Sequence, residues 1–423
     1  MNNILTGTIL SVLLMTTVAC GCNGGADDGL DYTYKVETLP EWQEGYLDIH
    51  HINTGRGNCS FMILPDGTTM LVDVGDVGSE SFQEITQARP DDTKTPATWV
   101  AEYINYFTRP LQKAGELDYA LMSHLHNDHI GGEVNTAISQ VGKSYKLSGI
   151  TELANLLDID LLVDRGYPLY NYYPDNTAMI TENKNTLPNY SKFIEERDKL
   201  GQKTEMFEVG SNTQFVLKNN PRAYPDFEIR NVCGNGMVWT GSGNSTKIVY
   251  PSNSFKAGGE NSASCGFVMK YGRFGYCNCG DIQGENNAGG AVDMETAVSE
   301  IMPPCEVVLC NHHAFSDAMH EKFISATRPK VYVIPVWGIN QPTSPVMKRM
   351  LDIGLYPGDR MIFATGRLDS NDKNLGEYAD DILQTGHIVI RVYDGGSTYQ
   401  VFVLSDTSRT YQIIYQSDIL TAE

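Results

Sequence analysis

Six consecutive residues, His124-Leu125-His126-Asn127-Asp128-His129, bring three imidazoles and a carboxylate together. The chain of 423 residues has only 9 His, so composition alone does not account for a cluster this dense. Neutral imidazole and carboxylate are the donors that zinc and its first-row neighbours take. His124 and His126 lie two apart, so an extended backbone turns both rings to one side. Asp128 and His129 follow at the turn into a helix expected to begin near Ile130, and could offer a second group of ligands a few ångströms from the first. A surface His cluster, or core histidines satisfied by hydrogen bonds, is the plainer reading of the same residues. Context favours ligation. The apolar run Leu117-Asp118-Tyr119-Ala120-Leu121-Met122 reads as a buried strand that fixes the base of the loop.

The elements that must hold such a loop follow from hydrophobic periodicity and turn residues. Strands are expected at 46–49, 60–64 and 70–72, the last two joined by Pro65-Asp66-Gly67. A helix at 97–108 precedes the 117–122 strand, and a strand at 160–164 and a helix at 191–200 come after the loop. Strands at 226–233, 264–271 and 273–279, a helix at 291–301 and a strand at 305–310 follow. Helix 316–326, strand 330–335, helix 343–352 and strand 360–364 then alternate. A C-terminal hairpin, 387–393 with 399–404, turns around Asp394-Gly395-Gly396. Strands first and then strands alternating with helices, twice over, predict an α/β protein of two sheets packed face to face with helices outside. The stretch 165–262 is longer than that core needs. It holds the tyrosine-rich run from Arg165 to Pro174 and a Gly/Ser/Asn-rich segment at 234–262. Loops of this size beside a site often shape substrate binding. Its tyrosines could stack on a ring or cage a quaternary amine, or pack the segment onto the core.

The string Ser123 to Gly132 closely resembles the metal-binding signature of the metallo-β-lactamase superfamily. Other segments match in order. Thr69 to Gly75 resembles the family's early strand ending in Asp-x-Gly, Phe274 to Asp281 the strand that delivers a bridging aspartate, and Val307 to His313 the strand that delivers a late histidine. With Asn53-Thr54-Gly55-Arg56-Gly57-Asn58 and the His-His pair, the likeness is greatest to the branch of competence-protein hydrolase domains and phosphorylcholine esterase. It spans residues 46 to about 365.

The resemblance implies a metallo-β-lactamase-type αββα sandwich, here with an enlarged insertion at 165–262, and two divalent ions, zinc first and manganese as the alternative. His124 and His126 would hold one ion, Asp128 and His129 the other, and Asp281 would bridge them. One histidine of the 312–313 pair would complete the second set. His313 is the expected ligand, with His312 facing the substrate as proton donor or oxyanion stabiliser beside Asp128, although the reverse order stays open. Asp73 would orient a ligand histidine rather than bind metal. A hydroxide bridging the two ions would attack phosphorus or an acyl carbon. One departure stands out: the family's usual third histidine for the first ion is missing, because no His occurs between 129 and 312. Asp164 is a candidate replacement; its competing role is a pair with Arg165 or a loop amide. An aspartate at 281, where penicillin-destroying members carry cysteine, points away from β-lactams, and Cys279 is out of register for that role. The implied activity is that of a phosphoesterase, phosphodiesterase-like, acting on a small anionic phosphoester. Lactone or thioester hydrolysis, or binding without catalysis, are the competing functions.

A formal charge of −21 argues against nucleic acid as a partner, while bound cations would invert the field for a small anion. At the N-terminus, Ile9 to Met15 is too short to span a bilayer comfortably. It leads into Thr17-Val18-Ala19-Cys20, which resembles a bacterial lipobox, although residues 1–19 contain no Lys or Arg. The expected organisation is a lipoprotein-type signal peptide at 1–19, a flexible tether at 20–40 and one domain at 41–423. The protein would be exported and lipid-anchored to a bacterial membrane through Cys20 alone. Cys265, Cys305 and Cys310 lie in apolar runs and read as buried free thiols. Cys277 and Cys279 face one side of a strand and are not expected to pair with each other.

Overall fold

A computed structural model describes residues 37–79, 84–170, 183–254, 259–284 and 292–423. The export segment expected at 1–19, most of the tether, and Tyr172 and Tyr173 lie outside the described residues. Within them the chain forms two large mixed sheets and one two-stranded hairpin.

The first sheet runs in the order Ile413–Gln416, Thr398–Leu404, His387–Val392, Leu47–His51, Ser60–Ile63, Thr69–Val72, Glu116–Met122, Asp158–Asp164, Lys203–Met206. Its strands pair antiparallel as far as Thr69–Val72 and parallel from there on. The second sheet has the order Thr246–Ile248, Met237–Trp239, Phe227–Gly234, Gly266–Tyr271, Phe274–Asn278, Val307–Leu309, Val331–Ile334, Met361–Ala364, Ile382–Thr385. It makes the same change at Phe274–Asn278. A parallel neighbour requires a crossover, so each sheet carries its helices in the half that follows the change.

Side-chain alternation sorts the core. Leu47, Ile49, Met70, Val72 and Leu121 of the first sheet share one buried cluster with Phe267, Met269, Tyr276, Val307 and Leu309 of the second. The two sheets therefore pack face to face. Their alternate residues, such as Phe61, Leu71, Ala120 and Leu162, meet Val100 and Ile104 of helix Pro96–Phe107, Leu153 of helix Ile150–Leu156 and Ile194 of helix Leu187–Lys199. Val308 and Tyr332 likewise share a cluster with Phe323 and Met347 from helices Glu321–Thr327 and Ser344–Leu351.

Several expected elements change. The helix expected from Ile130 is instead one turn, Asn127–Ile130, ended by Gly131 at φ 72°. The helix placed at 316–326 begins at Glu321, and the strand placed at 305–310 narrows to Val307–Leu309. Segment 165–262 contributes Lys203–Met206 to the first sheet and three strands to the second, and its Phe207, Phe215 and Ile229 enter the shared core. The seven described cysteines are free and buried. No helix among the described residues is long and apolar enough to cross a membrane.

The seam between Leu47–His51 and His387–Val392 joins parts of the chain far apart in sequence through buried polar groups. Arg391 donates Nε and Nη2 to the two oxygens of Asp48 at 2.8 and 2.6 Å. The Asn53 amide donates to His387 Nδ1 at 3.1 Å, so that ring must be neutral to accept. Burial lowers the His387 pKa to about 4, and burial with the neighbouring His50 lowers His51 to about 3. Because these values lie below the unfolded value near 6.5, the unfolded chain takes up the protons first. Their contribution is complete above pH 6.5 and is lost as pH falls, toward 4 for His387 and toward 3 for His51. At about 1.4 kcal/mol per unit, His387 alone accounts for roughly 3 kcal/mol. Guanidinium unfolding midpoints should drop between pH 7 and pH 4, and His387→Gln, which keeps an acceptor that does not titrate, should flatten that drop.

Candidate metal centre

The two strand pairs at which the sheets turn parallel supply the chemistry. Asp73 follows Thr69–Val72, and Ser123 to His129 follow Glu116–Met122. On the facing sheet, Asp281 follows Phe274–Asn278 through Gly280 at φ 57°, and His312 and His313 follow Val307–Leu309. Loops at the carboxyl ends of parallel strands are where open α/β sheets place their ligands.

The early loop is laid against its neighbours by backbone bonds: Asn58 N donates to Asp128 O at 2.7 Å, Val74 N to His129 O at 2.9 Å and Asp76 N to Asn127 O at 2.8 Å. The approach needs bare backbone. A Cβ on Gly75 would stand 1.9 Å from the Asp128 carbonyl oxygen, and one on Gly57 would stand 2.4 Å from it. Asp73, itself at φ 61°, receives Ser123 N on Oδ1 at 2.7 Å. Its Oδ2 receives Ser123 Oγ at 2.7 Å and Asn58 Nδ2 at 3.1 Å. The same oxygen lies 2.7 Å from His129 Nδ1. An ionised carboxylate only accepts, so His129 carries its proton on Nδ1 and turns Nε2 inward.

Asp128, His129, Asp281 and His313 then meet. Among the described residues they form the one group of His, Cys, Asp or Glu whose ligand atoms all lie within 4.8 Å of one another, and all four are buried. His129 Nε2 is 3.1 Å from Asp281 Oδ2 and 3.8 Å from Asp128 Oδ2. His313 Nε2 is 3.1 Å from Asp128 Oδ2 and 3.4 Å from Asp281 Oδ2. The Pro335 carbonyl fixes the other His313 nitrogen at 2.9 Å. On the opposite side, His124 Nε2 and His126 Nδ1 lie 3.1 Å apart, with His124 Nε2 3.9 Å from Asp281 Oδ2.

Burial alone would push the Asp128 and Asp281 carboxyls up, but the His129 and His313 imidazoles hold both well below the ordinary range. Burial likewise opposes charge on those imidazoles. It is outweighed by Asp281 and its neighbouring carboxylates, which raise His313 to about 9 and His129 well above its usual value. His124 shifts the other way, lowered by burial and by His129, and stays neutral. The buried His129 Nε2 lies 3.1 Å from Asp281 Oδ2 but makes no well-aligned hydrogen bond to a described residue. Two anions, inward ring nitrogens and an unsatisfied donor atom fit a divalent cation of the zinc class.

His312 sits outside this group and is partly exposed. Its Nδ1 lies 2.6 Å from Asp317 Oδ1 and its Nε2 3.0 Å from Asn261 Nδ2. Burial would raise the Asp317 carboxyl, but its bond to His312 outweighs that and holds it low. His312, His313 and Ala314 all have positive φ, at 43°, 54° and 57°. Left-handed backbone at non-glycine residues costs about 1–3 kcal/mol each and collects at functional sites.

Asp164 requires a correction. It does not join the cluster, because its carboxylate is already bound: Oδ1 accepts Gly166 N at 2.7 Å and Tyr167 N at 2.8 Å. Oδ2 accepts the Tyr170 and Tyr190 hydroxyls at 2.7 and 2.9 Å. Two contributors carry no sequence signal. Trp337 Nε1 donates to Asp128 Oδ2 at 3.1 Å. Glu260, from the Gly/Ser/Asn-rich stretch, accepts the amide of Leu125 at 2.8 Å.

No family model and no curated protein matches the chain. Among solved structures, one from Parabacteroides distasonis, provisionally described as a metal-dependent hydrolase, is similar at 12% identity and a TM-score of 0.33. The match covers 75% of this chain and 92% of that one. A likeness at this level fixes neither family nor activity.

Asp73→Asn places an amide where an anion holds the His129 proton. Zinc affinity, read by competition with a chromophoric chelator, should fall about 10–100-fold. Gly75→Ala should lower both metal affinity and the thermal midpoint, because the Asp128 loop must retreat.

Proposed function

We propose that the chain is a metal-dependent hydrolase of the metallo-β-lactamase type, acting on phosphoesters in the manner of a phosphodiesterase. The convergence of Asp128, His129, Asp281 and His313 from facing sheets supports this reading most directly. The His124–His126 pair across the Asp281 carboxylate supports a second cation, with Asp281 shared between the two. Bound divalent ions would act as Lewis acids and supply hydroxide at neutral pH.

The chain's own groups do the rest. Asp128 and Asp281 give the site its negative donors, and Trp337 and His313 fix the Asp128 carboxylate. His312 is suited to proton transfer. Asp317 accepts from Nδ1–H, so Nε2, which now faces Asn261 Nδ2 at 3.0 Å, is the nitrogen that would exchange a proton with a leaving group once it turns from that amide. An aspartate rather than a thiolate at 281 favours phosphoesters over β-lactams.

Export and lipidation at Cys20 remain part of the proposal and rest on the lipobox-like Thr17-Val18-Ala19-Cys20. Expressed in a bacterium, the full chain should fractionate with membranes and its Cys20→Ser variant should not. An unchanged distribution rejects the anchor.

The activity test sets bis(p-nitrophenyl) phosphate beside a lactone panel. Phosphodiester cleavage that is abolished by chelation and restored by zinc or manganese is the expected result. Lactone turnover alone transfers the site to acyl chemistry, and no turnover with metal bound reduces it to a binding site. His312→Ala should lower kcat by about 100-fold on an alkyl phosphodiester, whose leaving group needs a proton. The effect on bis(p-nitrophenyl) phosphate should be much smaller.

A further inference from the structure

Gln283 lies two residues beyond Asp281, and the chemistry described so far gives it no part. It is buried, and its side chain joins two separate segments of the chain. Nε2 donates to Asp317 Oδ2 at 2.5 Å, and Oε1 accepts from Ser262 Oγ at 3.1 Å. The main chain around it is fixed as well. The Gln283 carbonyl accepts Met294 N at 2.9 Å and Glu295 N at 3.0 Å, and Gly284 N donates to the Asp317 carbonyl at 2.8 Å.

Asp317 settles the order of donors along this path. Burial opposes its charge, but the bond to His312, with a smaller contribution from Gln283, holds the carboxyl low. An ionised carboxylate only accepts, so the Gln283 amide must turn Nε2 toward it and leave Oε1 for the Ser262 hydroxyl. That hydroxyl has one proton and lies equally near the Val292 carbonyl, at 3.1 Å, which makes the Ser262 link the weaker of the two. With Oδ2 taken by Gln283, Asp317 presents Oδ1 to His312 Nδ1 at 2.6 Å. The path then returns to its start. His312 Nε2 lies 3.0 Å from Asn261 Nδ2, and Asn261 directly precedes Ser262.

We propose that Gln283 is a positioning residue for the His312–Asp317 pair: by holding Asp317 Oδ2 it fixes which oxygen meets the ring and keeps the ring proton on Nδ1. This deepens the hydrolase reading above and rests on it. Without the Gln283 amide the partly exposed Asp317 carboxylate can turn about its own bond and pair with water. The ring then loses the acceptor that selects its tautomer. Because Gln283 follows Asp281 so closely, the same amide ties the proton-transfer group to the strand end that delivers a ligand of the metal centre.

The first readout needs no metal. In the chelator-stripped full chain with isotope-labelled histidine, nitrogen NMR should show the His312 ring, assigned by its loss in His312→Ala, protonated on Nδ1 alone. Gln283→Leu should show both tautomers. The second readout compares methyl phenyl phosphate with methyl p-nitrophenyl phosphate on the zinc-loaded protein. Gln283→Leu should lower kcat on the phenyl ester about tenfold, part of what His312→Ala removes, with KM unchanged and a much smaller loss on the p-nitrophenyl ester. Added to His312→Ala, it should cost nothing further. Ser262→Ala, which loses only the weaker link, should shift both readouts the same way by less, and it replaces Gln283→Leu if that variant fails to fold by circular dichroism. A folded variant whose His312 ring keeps its proton on Nδ1, or whose loss adds in full to that of His312→Ala, overturns the positioning role and leaves the hydrolase reading standing. If His312→Ala itself leaves turnover of the phenyl ester intact, the catalytic reading of His312 fails and this inference goes with it.

Discussion

Two carboxylates brought together where they are largely buried is the constraint around which the rest of this structure is arranged. Taking a charge out of water costs several kcal/mol unless an opposite charge meets it in good geometry. For Asp128 and Asp281 that charge would come from a bound cation or, without one, from the His129 and His313 rings, and each ring needs an acceptor behind it. Asp73 serves His129, and the Pro335 carbonyl serves His313. Asp73 in turn needs donors of its own, which come from Ser123 and from Asn58 of the early glycine loop. The requirement passes outward shell by shell until it reaches ordinary backbone. Residues far apart in the chain are fixed by one electrostatic problem.

Much of this was legible in the chain. His124, His126, Asp128 and His129 stood out because few residue types ligate metals and because alternation on a strand decides which side a ring takes. The core strands were legible for the same reason: Leu47–His51, Thr69–Val72 and Phe274–Asn278 are buried along their whole length. Lys203–Met206 and Thr246–Ile248 were not, since edge strands that are mostly or wholly exposed leave no hydrophobic pattern. The one-turn helix Asn127–Ile130 is too short to have a period. Asp164 misled because a carboxylate at a strand end reads the same whether a cation or two tyrosine hydroxyls await it. Trp337 and Glu260 are tertiary facts with nothing local to announce them.

The turn at His312 to Ala314 shows how the fold sustains a costly conformation. Three consecutive left-handed residues are held by Glu295, whose Oε1 accepts Asn311 Nδ2 and Met319 N, each at 2.7 Å. Its Oε2 accepts His320 N at 2.8 Å. Burial pushes the Glu295 carboxyl up to about 7 against the pull of these bonds. One interior acid thus spans the loop on both sides of its strained centre, which lets His313 point inward while its neighbour stays at the surface.

Because half of the buried ligand group hangs from each sheet, an ion seated there would act as a clasp between layers that also meet through apolar contact and a few buried polar bonds. Such a clasp ties early and late parts of the polypeptide into one closed circuit. By mass action it favours the assembled sandwich over any form in which the sheets have parted. Loss of the ion would then be felt first as slackness between the layers, with the strands inside each sheet still in register.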